Sequence, residues 1–160
     1  MSEICEVGIL VGGGDWPDEP ELLSICGNAI KAAISAAELS VSSYDEVSFL
    51  FTNDDAVRAL NAQWRDQDKP TNVLSFPQED DDAEQPSGML GDIVLAQETI
   101  AREALEARRT LDQHLNHLII HGFLHLFGYD HQSNEDAEEM EALEIKALEK
   151  LGIANPYADH

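Results

Sequence analysis

Five of the six histidines of this chain fall within 18 residues: His114, His117, His121, His125 and His131. Imidazole exchanges protons and binds metal ions near neutral pH, so this density points to acid–base or metal chemistry. His121 and His125 are four residues apart, which on a helix puts them about 40° apart around the axis, on adjacent turns with both rings directed at one point. Gly128 follows three residues later, where it can end the helix in a left-handed conformation and swing His131 back toward the pair. Three neutral nitrogen donors and an open fourth position are the arrangement of a catalytic zinc rather than of a closed structural site. A lone histidine on an apolar helix face is usually a satisfied core residue; three with a placed glycine call for one zinc ion held by His121, His125 and His131.

The spacing H-x-x-x-H-x-x-G-x-x-H is that of a metzincin-type zinc site, with Gly122 standing where those sites carry glutamate. That glutamate is the base that takes a proton from water in peptide hydrolysis. Its loss makes a metallopeptidase or other zinc amide hydrolase the weaker alternative and leaves phosphoryl chemistry open. His117, four residues before His121, suits a supporting partner of the ligands, and His114 reaches the same cleft. Asp130 is placed to orient His131 or a water molecule, although a turn-forming Asp beside Gly128 is equally reasonable.

The elements that hold these residues read as strands first and helices after. Residues 4–11, 45–52, 72–76 and 89–96 are short, apolar and branched or aromatic, and Val47, Phe49 and Phe51 alternate on one face. The third and fourth strands, joined by the acidic loop 78–86, suit an antiparallel pair. Helices are expected over residues 18–39, after Asn53 with Val57, Leu60 and Trp64 on the buried side, and over 97–107, 111–127 and 134–151, the last capped by Asn134. The fold class is therefore α+β: a single domain over residues 1–160, with a small mixed sheet of about four strands, four to five helices and a zincin-like metal-site helix.

Composition narrows the partners. Thirty-two acidic residues against nine basic ones give a formal charge of −23, while 43% of residues are hydrophobic, enough to build a core. General affinity for polyanions is excluded, and no DNA partner is expected; any nucleic acid must be gripped locally, where Arg58, Arg65 and Lys69 fall together. Cys5 and Cys26 form no CxxC and read as two buried thiols of a cytoplasmic protein. Apolar runs are too short for a membrane span.

Four blocks carry a resemblance. His121-Gly-Phe-Leu-His125-Leu-Phe-Gly128-Tyr129-Asp130-His131, Leu60-Asn61-Ala-Gln-Trp64-Arg65, Pro70-Thr71-Asn72-Val73-Leu74-Ser75-Phe76-Pro77 and Gly91-Asp92-Ile93 together resemble the bacterial YbeY family of endoribonucleases. Asn72 departs from the Asp frequent there. The resemblance implies a metal-dependent endoribonuclease specific for single strands, acting in late maturation of small-subunit ribosomal RNA, especially its 3′ end, and in ribosome quality control. It implies His121, His125 and His131 as ligands and Arg65 as the important arginine; His117 and Asp130, from the reading of the residues themselves, are further catalytic candidates for the general base. Arg65 suits that role, because a guanidinium can hold two phosphate oxygens at once. Trp64, Phe76 and Tyr129 are candidates for base stacking, with core packing the commoner fate of the first two. The partners implied are single-stranded ribosomal RNA, the small ribosomal subunit with its proteins, and an assembly GTPase. A non-catalytic assembly factor with a structural zinc is the other alternative.

Overall fold

The computed structural model describes residues 5–41, 45–77, 89–129 and 133–157. The acidic loop and the two expected site residues Asp130 and His131 lie outside the described residues. The elements follow the chain as β1 (Glu6–Val11), α1 (Glu19–Ala37), β2 (Glu46–Thr52), α2 (Asp54–Arg65), β3 (Val73–Pro77), β4 (Met89–Ala96), α3 (Gln97–Glu106), α4 (Leu111–Leu126) and α5 (Asn134–Lys150). The expected α+β class is found. The sheet runs β1-β2-β4-β3, with β1, β2 and β4 parallel and β3 antiparallel to β4.

Strand alternation divides the apolar residues between two cores. Val47, Phe49 and Phe51 of β2, with Ile93 and Leu95 of β4, join the buried faces of α1, α4 and α5. The opposite face is smaller: Leu74, Val94 and Ala96 pack with Val57 of α2. Each fully buried Phe or Leu contributes about 1.5–3 kcal/mol relative to its exposed state, so the helix that carries the histidines is fixed by its own apolar side, with Leu115, Ile119, Ile120, Phe123 and Leu124 all buried. Cys5 and Cys26 are buried thiols, not a disulfide.

Two local expectations are corrected. Trp64 was expected on the buried side of α2 and is instead 62% exposed, because the sheet face beneath α2 accommodates only Val57 and, in part, Leu60. The cap of α5 is Ser133 rather than Asn134, its side chain accepting from the Asp136 amide. Among the described residues no helix is long and apolar enough to cross a membrane.

Gly91 explains one of the sequence blocks. Its φ of +148° belongs to glycine, and a Cβ there would stand 2.5 Å from the Phe76 carbonyl oxygen of the neighbouring strand. The antiparallel pair can therefore close on β3 next to the site.

Candidate active site

Helix α4 opens with a capping box, in which the Thr110 side chain accepts from the Gln113 amide and the Gln113 side chain accepts from the Thr110 amide. It ends as expected at Gly128, whose φ of +93° is left-handed. The amide of Gly128 donates to His125 O at 3.0 Å and that of Tyr129 to Leu124 O at 3.3 Å, the paired bonds of a Schellman motif. The chain therefore turns sharply about one turn beyond His125.

Between these ends His121 and His125 converge, with their Nε2 atoms 3.0 Å apart. Two nitrogens at about 2.0–2.1 Å from one tetrahedral zinc ion would be about 3.3 Å apart, so the pair is already close to the separation of two ligands. Among the described residues no third His, Cys, Asp or Glu completes a metal group, and the third expected ligand, His131, is outside them. The two rings open onto a cleft of about 560 Å³ lined also by Arg65, Asn72, Ser75 and Tyr129.

Arg65 reaches this cleft from the end of α2. The buried Asn61 side chain donates to Lys69 O at 2.9 Å and the Gln67 amide donates to Asn61 O, which closes the chain after the helix. Arg65 Nη2 then donates to Ser75 O at 2.5 Å, and its guanidinium lies 5.2 Å from the centre of the Phe76 ring. Neither Asp66 nor Asp68 takes it. Asp68 instead pairs with Arg58 at 2.8 Å, so Arg58 is spoken for at the surface, and the expected grouping of Arg58, Arg65 and Lys69 reduces to Arg65 at the cleft. Tyr129 lines the cleft, Phe76 lies beneath the guanidinium, and Trp64 opens onto a separate groove on the other sheet face with Leu10 and Leu50.

Gly122 sits against β3 and β4. A Cβ there would meet Ser75 Oγ at 3.0 Å and Ile93 Cγ2 at 3.1 Å, and Ser75 Oγ donates to Gly122 O. A side chain at this position would therefore be tight, with Ser75 or Ile93 having to give by a few tenths of an ångström, so the absence of the peptidase base goes with close packing of α4 on the sheet.

Sequence reasoning missed Glu144, which lies in the acidic run of α5. The residue is fully buried, with Oε2 at 2.6 Å from His121 Nδ1 and Oε1 at 2.7 Å from His117 Nε2. Burial pushes its pKa up, but the two histidine bonds outweigh that and hold it at about 2. An ionised carboxylate only accepts, so both imidazoles donate to it. His121 thereby carries its proton on Nδ1 and presents the Nε2 lone pair toward His125. His117 is linked to His121 through this carboxylate. The spacing of Met140, Glu144, Ala147 and Leu148 on the buried stripe of α5 was the available signal. His114, one turn earlier, meets Glu103 at 2.9 Å, and Asn72 Nδ2 donates to the same carboxylate oxygen.

Fold and site thus define an α+β protein with a mixed four-stranded sheet and a cleft shared by a histidine pair and an arginine. The model of the family Endoribonuclease YbeY matches residues 17–152. A Rhizobium meliloti protein named endoribonuclease YbeY is 49% identical over 160 residues, covering 96% of this chain and 95% of its own. A Sinorhizobium medicae protein of the same name is 48% identical with the same coverage. The solution structure of a Thermotoga maritima protein aligns over 91% of both chains with a TM-score of 0.54 and 25% identity. The chain belongs to the YbeY endoribonuclease family.

Proposed function

We propose that this chain cleaves single-stranded RNA with one zinc ion held by His121, His125 and His131, and that its substrate is small-subunit ribosomal RNA in late maturation, especially at the 3′ end, and in ribosome quality control. The observation that carries the reading is the convergence of His121 and His125 in a cleft lined by Arg65. The donor set suits zinc: neutral imidazole nitrogens, one of them oriented by a buried carboxylate. Zinc bound there supplies Lewis acidity toward a phosphoryl oxygen and makes water a stronger acid.

The remaining work falls to the chain. Arg65 holds phosphate oxygens and stabilises the charge that develops on them. Glu144 keeps the His121 ring in one tautomer, and His117 enters through the same carboxylate. His117 and Asp130 are the side chains proposed for proton transfer. With a charge of −23, affinity for naked RNA is weak and salt-sensitive, and specificity comes from the small ribosomal subunit, its proteins and an assembly GTPase.

The test is cleavage of single-stranded RNA by the purified chain, with metal analysis and a chelator arm. Loss of cleavage on chelation and recovery with zinc is expected. Chelator-insensitive cleavage, or chelator-sensitive cleavage of unstructured peptide with RNA left intact, overturns the reading. In cells deficient in the activity, Arg65→Ala and His125→Ala variants that restore ribosomal RNA processing as well as the wild type would favour an assembly role without catalysis.

A further inference from the structure

Beyond the residues matched by the family model, the chain folds back on the site. Tyr157 stands after α5, and its hydroxyl donates to Glu144 Oε1 and lies 3.2 Å from His117 Nε2. Its ring meets that of His117 edge-on, with centroids 5.4 Å apart at 88°. The Tyr157 amide donates to Asn155 Oδ1 at 2.8 Å in a turn within the tail, and Arg109 Nη2 donates to Ala154 O at 3.1 Å. The Arg109 bond ties the tail to the connection between α3 and α4, and the contact of Tyr157 with His117 ties it to α4.

We propose that Tyr157 is a positioning residue for the histidine pair, closing the carboxylate cage that fixes the His121 ring. A buried carboxylate is tolerated only when its lone pairs are filled. Glu144 has no exposed surface, and three side chains from outside its own helix fill it: His121, His117 and Tyr157. The two histidines both lie on α4, so they reach the carboxylate from one side. Tyr157 reaches it from the tail after α5, on the solvent side, the residue being 41% exposed. Without the hydroxyl, Oε1 keeps only His117, and a water molecule competes for the place. Glu144 then shifts toward His117 or the water, and its bond to His121 Nδ1 loosens. The proton of His121 is no longer confined to Nδ1, and Nε2 is no longer held as the lone-pair nitrogen facing His125. The orienting partner of a ligating histidine sets both tautomer and ring direction, so metal affinity follows.

The proposal rests on the reading of His121 and His125 as ligands, and its test is read without RNA. In the Tyr157→Phe variant of the full chain, which keeps the ring and removes the hydroxyl, two quantities are measured. One is zinc affinity by competition with a chromophoric chelator. The other is the ¹⁵N signature of the His121 ring in the metal-free protein. The expected result is zinc binding weaker by about tenfold, and a His121 signature moved from Nδ1-protonated toward a tautomer mixture, with the circular dichroism spectrum unchanged. Wild-type zinc affinity in the variant, or an unmoved His121 signature, overturns the proposal. Because the ring signature needs neither metal nor substrate, a wild-type protein that fails to cleave RNA sinks the proposed function and leaves this inference standing.

Discussion

Ser75 Oγ donates to the backbone carbonyl of Gly122 at 3.0 Å, and this bond joins the two halves of the cleft. The carbonyl of the same serine accepts from Arg65, and Gly122 directly follows His121 on α4. One buried residue of β3 thus sets the distance between the arginine of α2 and the histidines of α4. Three of the sequence blocks, two of them neighbours in the chain and the third on α4, meet here for a packing reason.

Gly122→Glu will not convert the chain into a peptidase. The new side chain would begin 3.0 Å from Ser75 Oγ and 3.1 Å from Ile93 Cγ2, both in closed packing. Overpacking and an unpaired buried carboxylate together cost about 3 kcal/mol or more. Thermal denaturation should show a strongly lowered midpoint, and peptide cleavage should remain at background. A variant as stable as the wild type would show that the helix–sheet contact is looser than this geometry.

Arg65→Lys and Arg65→Ala should lower cleavage of single-stranded RNA alike, by about a hundredfold, because a point charge does not reproduce a planar fork. The fold should survive, since the side chain is exposed and bonded only at its tip. Steady-state kinetics with circular dichroism as the control decides it. Lysine restoring wild-type rates would reduce the role of Arg65 to simple charge.

How much of this was legible in the sequence varied with the range of the interaction. The histidine pair and the turn at Gly128 were readable because i, i+4 spacing and a helix stop are local. Glu144 was not, because its neighbours along α5 are acidic and only the step from Met140 to Leu148 reveals that it faces inward. Trp64 misled in the opposite sense. It continues the apolar stripe of Val57 and Leu60, yet it stands at an open groove with Leu10 and Leu50, and the residue is left 62% exposed. The contact of Arg65 with Ser75 depends on β3 pairing with β4, a tertiary fact that helix periodicity does not contain.

Asn72, the departure from the usual Asp, has a local cause. Its amide nitrogen donates to Glu103 Oε1 at 2.9 Å, and its oxygen accepts from the Val73 amide. In Asn72→Asp two carboxylates would face each other at that distance, which should destabilise the fold by about 1–2 kcal/mol. Adding Glu103→Gln should recover most of the loss. A double-mutant cycle by chemical denaturation measures the coupling, and additive effects of the two substitutions would refute it.

His114 gives the fold a pH dependence of calculable sign. Burial lowers its pKa from 6.5 and outweighs the bond to Glu103, which raises it; His117 and Arg109 add to the lowering. The folded protein therefore resists a proton that the unfolded chain accepts at 6.5. Below that value the unfolded state binds more protons, so stability that is fully present above pH 6.5 is lost as pH falls toward the folded-state pKa. A His114→Gln variant lacks this contribution, although it still offers an amide to Glu103. Denaturation curves measured from pH 7.5 down to about 5 should show the wild type losing stability faster than the variant. Parallel pH profiles would place the titration elsewhere and leave His114 as a packing residue beside Glu103.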